Sequence, residues 1–194
     1  MERKIGRQEG AKSQYKFALV ADSNAALHTN KGNFLSDMGR QGEAENEYKL
    51  ALEIDPKNVH IHSNYGTLLF ELGRFEEAEI QYKLALENDP DDVTTHLNYG
   101  LLLSDMGRIE EAENEYKLAL EIDPDDVTIH SNYGNLFLKM GRLEEAENEY
   151  KLILEADPKH VKANSGYGLI LSETGHLEEA EKHYKLALKT TQSM

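Results

Sequence analysis

The chain has 194 residues, of which 39% are apolar, 8% aromatic and 29% charged, a composition that favours a folded chain over a disordered one. It contains no cysteine, which excludes disulfides, thiol nucleophiles and cysteine zinc sites. Acidic residues outnumber basic ones by 36 to 21 and give a net charge of −15, which disfavours binding to nucleic acid and to anionic membranes.

Proline and tyrosine recur at fixed intervals and divide the chain into repeats. The only four prolines lie 34 residues apart, at Pro56, Pro90, Pro124 and Pro158. Tyrosines follow half that period, 17 residues apart, from Tyr48 to Tyr184. A fixed period of this length is typical of a repeat architecture.

Taken in order, the chain begins with a leading segment and continues with five repeats. Within the leading residues 1–24, key residues of 6–22 match those of 39–55, so 1–24 are predicted to form a half repeat that consists of a second helix only. The five full repeats are residues 25–58, 59–92, 93–126, 127–160 and 161–194.

Each repeat is predicted to form two antiparallel helices, as residues 93–126 illustrate. Apolar and small residues recur at helical spacing over 96–103 and again over 112–120. Gly107, between these stretches, can adopt the left-handed conformation that ends the first helix. Asp126, after the proline, can cap the next helix. Each helix is expected to have roughly 12–14 residues.

The full pattern of one repeat is His96-x2-Tyr99-Gly100-x2-Leu103, followed by Ala112-x3-Tyr116, Ala119 and Pro124. This pattern resembles the tetratricopeptide repeat and returns in all five repeats. The resemblance implies an all-α fold, a right-handed superhelical solenoid of stacked antiparallel helix hairpins. Where the family often has a large aromatic or aliphatic residue, this chain has His28, His62, His96, His130 and Asn164.

In the tetratricopeptide family, the first helices line a concave groove that holds partner peptides, so the resemblance implies a peptide-binding site on this face. Asparagine recurs there in step, at Asn30, Asn64, Asn98 and Asn132. The other residues assigned to the site are Asn33, Thr67, Leu101, Asn135 and Lys139.

An asparagine amide offers a donor and an acceptor, so a row of amides can bracket the main chain of an extended peptide without demanding a sequence. The row resembles the asparagine ladder of similar solenoids. In the alternative interpretation, these side chains tie neighbouring helices together or face water.

The partner is expected to be a neutral to basic protein or peptide. The groove face offers basic residues only at Lys139 and Lys162, which argues against a lysine clamp for a terminal carboxylate. The overall acidity steers neutral or basic segments toward the protein.

Membrane binding and secretion are not expected. No apolar run is long enough to span a bilayer, and Met1–Lys4 lead into no apolar segment of a signal peptide. The sequence therefore predicts a cytoplasmic protein.

Enzymatic activity is also not expected. The histidines at positions such as His62 and His96 lie one per repeat, too far apart to share a metal ion, and are predicted to be core residues with local hydrogen bonds. No glycine-rich phosphate loop, metalloprotease motif or nucleophile elbow occurs. We therefore predict no cofactor, no metal and no catalytic residue.

A second functional hypothesis is self-assembly. Neither end of the repeat array carries a polar capping helix, which repeat proteins normally need, so copies could join as a homo-oligomer. A leucine stripe on the second helices offers another surface, although packing against the adjacent repeat would also explain it. The stripe consists of Leu50, Leu84, Leu118, Leu152 and Leu186.

Overall fold

The computed structural model describes residues 24–191, which form ten α-helices and no β-strand. The predicted half repeat, apart from Asn24, lies outside the described residues. The helices are α1 (24–37), α2 (Gln41–Ile54), α3 (Val59–Glu71), α4 (Phe75–Asn88), α5 (Val93–Asp105), α6 (Ile109–Ile122), α7 (Val127–Lys139), α8 (Leu143–Ala156), α9 (Val161–Glu173) and α10 (Leu177–Thr191).

The chain divides into two compact units, residues 1–98 and 99–194, with the boundary inside α5. In the first unit, α3 packs against α4, and α2 packs against α3. In the second unit, α7 pairs with α8 and α9 with α10, while α6 packs on α7 and α8 on α9. Each unit therefore stacks helical hairpins, and the predicted all-α hairpin fold is confirmed.

Local sequence sets the helix ends. Gly73 follows α3 with a φ of 73°, a left-handed conformation that glycine adopts without a steric penalty, and the next amide, of Arg74, donates to the carbonyl of Leu69 at 2.9 Å. The Asp126 carboxylate accepts from the amides of Thr128 and Ile129 at 2.7 and 2.9 Å, which caps α7 as predicted.

Tyrosine and glycine make the close contact inside each hairpin. Tyr82 of α4 is fully buried, and its ring lies against the backbone of Gly66 in α3. A Cβ atom at Gly66 would lie only 2.8 Å from Cε1 of Tyr82. The small residue therefore allows the two helices to approach, and the aromatic ring fills the space beside it.

A half-buried carboxylate joins adjacent hairpins. Glu45 of α2 accepts from the Tyr65 hydroxyl at 2.9 Å and from Arg74 at 2.8 Å, both in the next repeat, and it also pairs with Lys49 at 2.8 Å. Its side chain is only 16% exposed. Tyr65 and Arg74 of the neighbouring repeat therefore cover Glu45.

The leucine stripe is partly exposed. Leu50, Leu152 and Leu186 each leave more than a third of their surface accessible, whereas Leu84 and Leu118 are half-buried. None of the described helices is long and apolar enough to cross a membrane.

Candidate functional site

The row of asparagines lies on the first helix of successive hairpins. Asn30 is exposed on α1, and Asn64, Asn98 and Asn132 are half-buried on α3, α5 and α7. Between α1 and α3, a recess of about 290 Å³ is lined by Asn30, Asn33 and Asn64, together with residues of the turn before α3. The first unit therefore brings two members of the row to one open recess.

The amides of the row differ in their hydrogen bonds. Among residues 24–191, no hydrogen bond is made by the side chains of Asn30, Asn64 and Asn132, whereas Asn98 donates to the Thr67 hydroxyl at 3.4 Å. Three of the four amides are therefore available to a ligand, and the fourth makes one long bond within the first unit.

Two other predicted site residues, Asn33 and Asn135, accept hydrogen bonds from tyrosines of their own hairpins. The Tyr48 hydroxyl donates to Oδ1 of Asn33 at 2.6 Å, and the Tyr150 hydroxyl donates to Oδ1 of Asn135 at 2.8 Å. These bonds orient the two amides and leave their NH₂ groups for other partners. In both pairs the asparagine lies 15 residues before the tyrosine. This spacing is visible in the sequence, but it does not show that the tyrosine hydroxyl bonds the asparagine.

Thr67 and Leu101 occupy the same register position as Asn33 and Asn135. The Thr67 hydroxyl lies 3.1 Å from the Tyr82 hydroxyl and donates to the Ser63 carbonyl at 3.0 Å. Leu101 offers no polar atom and lines a recess of about 360 Å³ in the second unit, with Tyr116 and Asn132 among the other lining residues.

Burial keeps the tyrosine hydroxyls in their protonated, donating form. It raises the pKa of Tyr48, Tyr82 and Tyr150 to about 12, because an apolar surrounding disfavours the phenolate. The same cause raises the pKa of Tyr116 further, with Asp105 adding to the effect. All four phenols therefore remain donors over the whole physiological range.

Lys139 lines the recess of the second unit but is not a free cation. Its ammonium donates to the Ser104 hydroxyl at 2.9 Å and lies 3.3 Å from an oxygen of Asp105. The Lys139 ammonium therefore has an acidic and a polar partner within the second unit.

Two of the recurring histidines, His62 and His96, are buried, and His28 and His130 are half-buried. His62 is buried on α3, where Nδ1 lies 2.8 Å from Oε1 of Gln81 and Nε2 lies 3.0 Å from the Pro56 carbonyl. The described part of the chain contains no group of histidines and carboxylates that could hold a metal ion. These rings instead tie the start of a first helix to the preceding turn and to the second helix of its hairpin.

The geometry defines a helical-hairpin repeat protein, and comparison with known proteins identifies the family. The tetratricopeptide repeat model matches residues 35–96, 103–160 and 137–193, and a second model with the same description matches residues 82–114. The chain belongs to the tetratricopeptide repeat family. This membership supports a general role as a protein–protein interaction scaffold.

Solved structures agree with this fold. PilF of Pseudomonas aeruginosa is 21% identical with a TM-score of 0.81, over 87% of this chain and 77% of that one. A crystal structure of MamA is 21% identical with a TM-score of 0.71, over 84% and 95%. YrrB, described as a TPR protein with an unusual peptide-binding site, is 22% identical with a TM-score of 0.65, over 89% and 91%. No curated protein matches the chain by sequence.

Proposed function

We propose that this protein is a scaffold that holds an extended segment of a partner protein along its first helices. The hydrogen bonds to the main chain of that segment come from Asn30, Asn64, Asn98 and Asn132.

The observation that carries the proposal is the pair of unbonded amides at the recess between α1 and α3. Asn30 and Asn64 line it and make no hydrogen bond within the described residues. A polar group held at the surface of a fold without a protein partner is available to hydrogen-bond a ligand. First helices of adjacent repeats lie on the order of 10 Å apart, so about three residues of an extended peptide would separate successive contacts.

The family supports the same interpretation. YrrB, which shares the fold, is described as having a peptide-binding site. The predicted charge preference follows from the net charge of −15 and from exposed acidic side chains on the first helices, including Glu71 and Asp105. We expect the bound segment to be neutral or basic.

A peptide-display selection against the immobilised protein tests the proposal. A peptide that binds the wild type is then measured against the double variant Asn64→Ala/Asn98→Ala. Loss of two hydrogen bonds should weaken binding about ten-fold or more, while the melting temperature stays nearly unchanged.

The chain supplies a matched control. Asn46 and Asn114 are exposed on the second helices, and Asn46→Ala/Asn114→Ala removes the same two amides from the outer surface. Equal affinity of the two double variants for the selected peptide would remove the asparagine row from the proposal.

Self-assembly is a second candidate, supported by exposed apolar residues on α1 and α10. On α1 and in the turn after it, Leu27, Phe34 and Met38 are mostly exposed, with Phe34 at 60%, although the residue at its register position in the next repeat, Leu68, is buried. On α10, Leu177 and Leu188 are also mostly exposed. The α10 face of one copy could therefore cover the α1 face of a second copy, as α8 covers α9 within the second unit.

One charged pair would meet at this head-to-tail contact, beside the existing pair of Lys31 with Glu47 at 2.7 Å. Glu181 stands at the register position of Glu45 and is 66% exposed, and Lys31 stands at the position of Tyr65, which donates to Glu45. A second copy would bring Glu181 to Lys31.

Sedimentation velocity from micromolar to millimolar concentration tests the assembly. Phe34→Glu should abolish concentration-dependent growth of the sedimentation coefficient, and Asn46→Glu on the outer surface should leave it intact. A wild-type chain that stays monomeric throughout would rule the assembly out.

A further inference from the structure

Leu101 cannot make the hydrogen bonds that the residue at the same register position makes in the first unit. In the first unit, Thr67 at the same register position lies 3.1 Å from the Tyr82 hydroxyl and accepts from the Asn98 amide at 3.4 Å. Thr67 thus provides one oxygen for a tyrosine of its own hairpin and for an asparagine of the next repeat. Leucine can provide neither contact.

The residues that correspond to Tyr82 and Asn98 in the second unit are Tyr116 and Asn132. Tyr116 is only 1% exposed, and its hydroxyl has no hydrogen-bond partner among residues 24–191. The Asn132 side chain also has none in this range. Both residues line the recess of about 360 Å³ that contains Leu101.

The equivalent hydroxyls of Tyr48 and Tyr150 are bonded to asparagine at 2.6 and 2.8 Å. The Tyr116 hydroxyl instead opens onto the recess, since the buried side-chain atoms without a partner among the described residues are the hydroxyls of Ser63 and Ser131.

With Leu101 at this position, the Tyr116 hydroxyl and the Asn132 amide face the same recess without a protein partner among residues 24–191. Leu101 accounts for the Tyr116 hydroxyl, whereas the Asn64 amide is unbonded beside the polar Asn33 as well.

The lining of the recess indicates what it would accept. Leu101, Leu136 and Leu138 supply apolar surface. The phenol of Tyr116 is a donor, and the Asn132 amide is both donor and acceptor. The Lys139 ammonium is already bonded to Ser104 and lies beside Asp105, so no unbalanced cation calls for an anionic ligand.

We infer that this recess is a subsite for an aliphatic residue of the bound segment, with that residue's backbone carbonyl accepting from Tyr116 and its amide group hydrogen-bonded by Asn132. The inference rests on the proposed peptide-binding function and gives it a position: the second unit selects leucine-like residues, while the asparagine row contacts main chain only.

The test uses a defined probe, N-acetyl-leucine N-methylamide, which carries one aliphatic side chain between two amide groups. Titration by NMR should shift the Asn132 side-chain amide and the Tyr116 ring with a Kd of roughly 1–10 mM, as expected for so small a ligand. Tyr116→Phe should weaken the probe several-fold without lowering the melting temperature, because the removed hydroxyl has no protein partner within the described residues.

The sharpest comparison comes from exchanging the residue types at positions 67 and 101. Leu101→Thr should close the recess by giving Tyr116 and Asn132 the arrangement of the first unit, and it should weaken the probe at least several-fold. Thr67→Leu should create a second probe site, detected by new shifts of the Asn98 side chain. Tyr48→Phe serves as the control, which should lower the melting temperature and leave the probe affinity unchanged.

Two results would overturn the inference. One is equal probe binding by the wild type and Leu101→Thr, and the other is no shift of Asn132 or Tyr116 up to the solubility limit of the probe. Neither result bears on Asn64 and Asn98, because the selected peptide and the Asn64→Ala/Asn98→Ala variant test those members of the asparagine row independently.

Discussion

Asn164 and His183 have exchanged the roles that their register positions hold in earlier repeats. Nδ1 of His183 on α10 donates to Oδ1 of Asn164 on α9 at 2.8 Å. In the first unit, the histidine is on the first helix and the acceptor on the second, as in His28 and Glu47 at 2.7 Å. The contact spans 19 residues in both cases, so the hydrogen bond is retained although the residue types are reversed.

The exchange also preserves the contact to the preceding turn. Nδ2 of Asn164 donates to the Pro158 carbonyl at 3.0 Å, as Nε2 of His62 lies 3.0 Å from the Pro56 carbonyl. Asn164 therefore performs both tasks of the missing histidine, which explains how the last repeat keeps these contacts without it.

The exchange predicts a rescue. Asn164→His alone places two imidazoles against each other and should lower the free energy of unfolding by about 1–3 kcal/mol, because a buried polar group loses its partner. The double variant Asn164→His/His183→Glu rebuilds the earlier pair and should recover most of that loss. Urea denaturation of both single variants and of the double variant measures the coupling, and purely additive effects would contradict the exchange.

The pKa values of His130 and His183, which belong to the two kinds of pair, should be shifted in opposite directions. The hydrogen bond from Nδ1 to Glu149, at 2.6 Å, raises the pKa of His130, whereas burial lowers the pKa of His183. The stability from His130 is therefore complete below the unfolded-state value of about 6.5 and is lost as the pH rises through the raised pKa. The stability from His183 is present above about 6.5 and is lost as the pH falls.

NMR titration of the ring protons measures both histidines in one sample. His130 should titrate above, and His183 below, the value of an unfolded reference peptide. Glu149→Gln is the control, since it removes the carboxylate and should return the pKa of His130 toward the reference while His183 is unaffected. Titration of both rings on the same side of the reference would contradict the assignment.

The carboxylate between hairpins should stabilise the first unit against acid. Burial opposes ionisation of Glu45, but hydrogen bonds from Lys49, Arg74 and Tyr65 outweigh it and lower its pKa to about 2. Its contribution to stability is present above the unfolded-state pKa of about 4.3 and is lost as the pH falls from there toward about 2.

Glu45→Gln should lower the free energy of unfolding at neutral pH by about 1–2 kcal/mol and flatten the acid slope. Glu181→Gln is the matched control, because Glu181 has the same register and, within the described residues, pairs only with Lys185. Urea denaturation between pH 7 and strong acid compares them. Equal stability losses in the two variants would argue against a role for the contacts between repeats.

Three glycines should respond differently to alanine. Gly66→Ala places a Cβ 2.8 Å from the Tyr82 ring and should cost about 1–3 kcal/mol. Gly73→Ala strains a residue with a φ of 73° and should cost about 1 kcal/mol. Gly42 lies in α2, where an added Cβ would meet no atom within 4 Å, so Gly42→Ala should stabilise by about 0.5–1 kcal/mol. Thermal melts rank all three, and a stabilising Gly66→Ala would contradict the packing.

The fold could be predicted from the sequence because its signals are local. The glycine turns and the cap at Asp126 depend on a few neighbouring residues, and the 34-residue period repeats them five times. Partner choice is different, since the period shows that Glu45 recurs but not that Tyr65 and Arg74 reach it from the next repeat. Likewise, the sequence predicted Leu101 as a site residue but not the loss of partners at Tyr116, which depends on three helices at once.

The register position of Glu45 is occupied in α10 by Glu181, which is 66% exposed. Glu181 of α10 has no following tyrosine or arginine within the described residues to bind it, and Tyr184 is far more exposed than the buried Tyr150 of α8. Amide hydrogens should therefore exchange fastest in α10 among the second helices and progressively more slowly toward α8 and α6. Such a gradient would make the carboxyl-terminal hairpin the first part of the second unit to open.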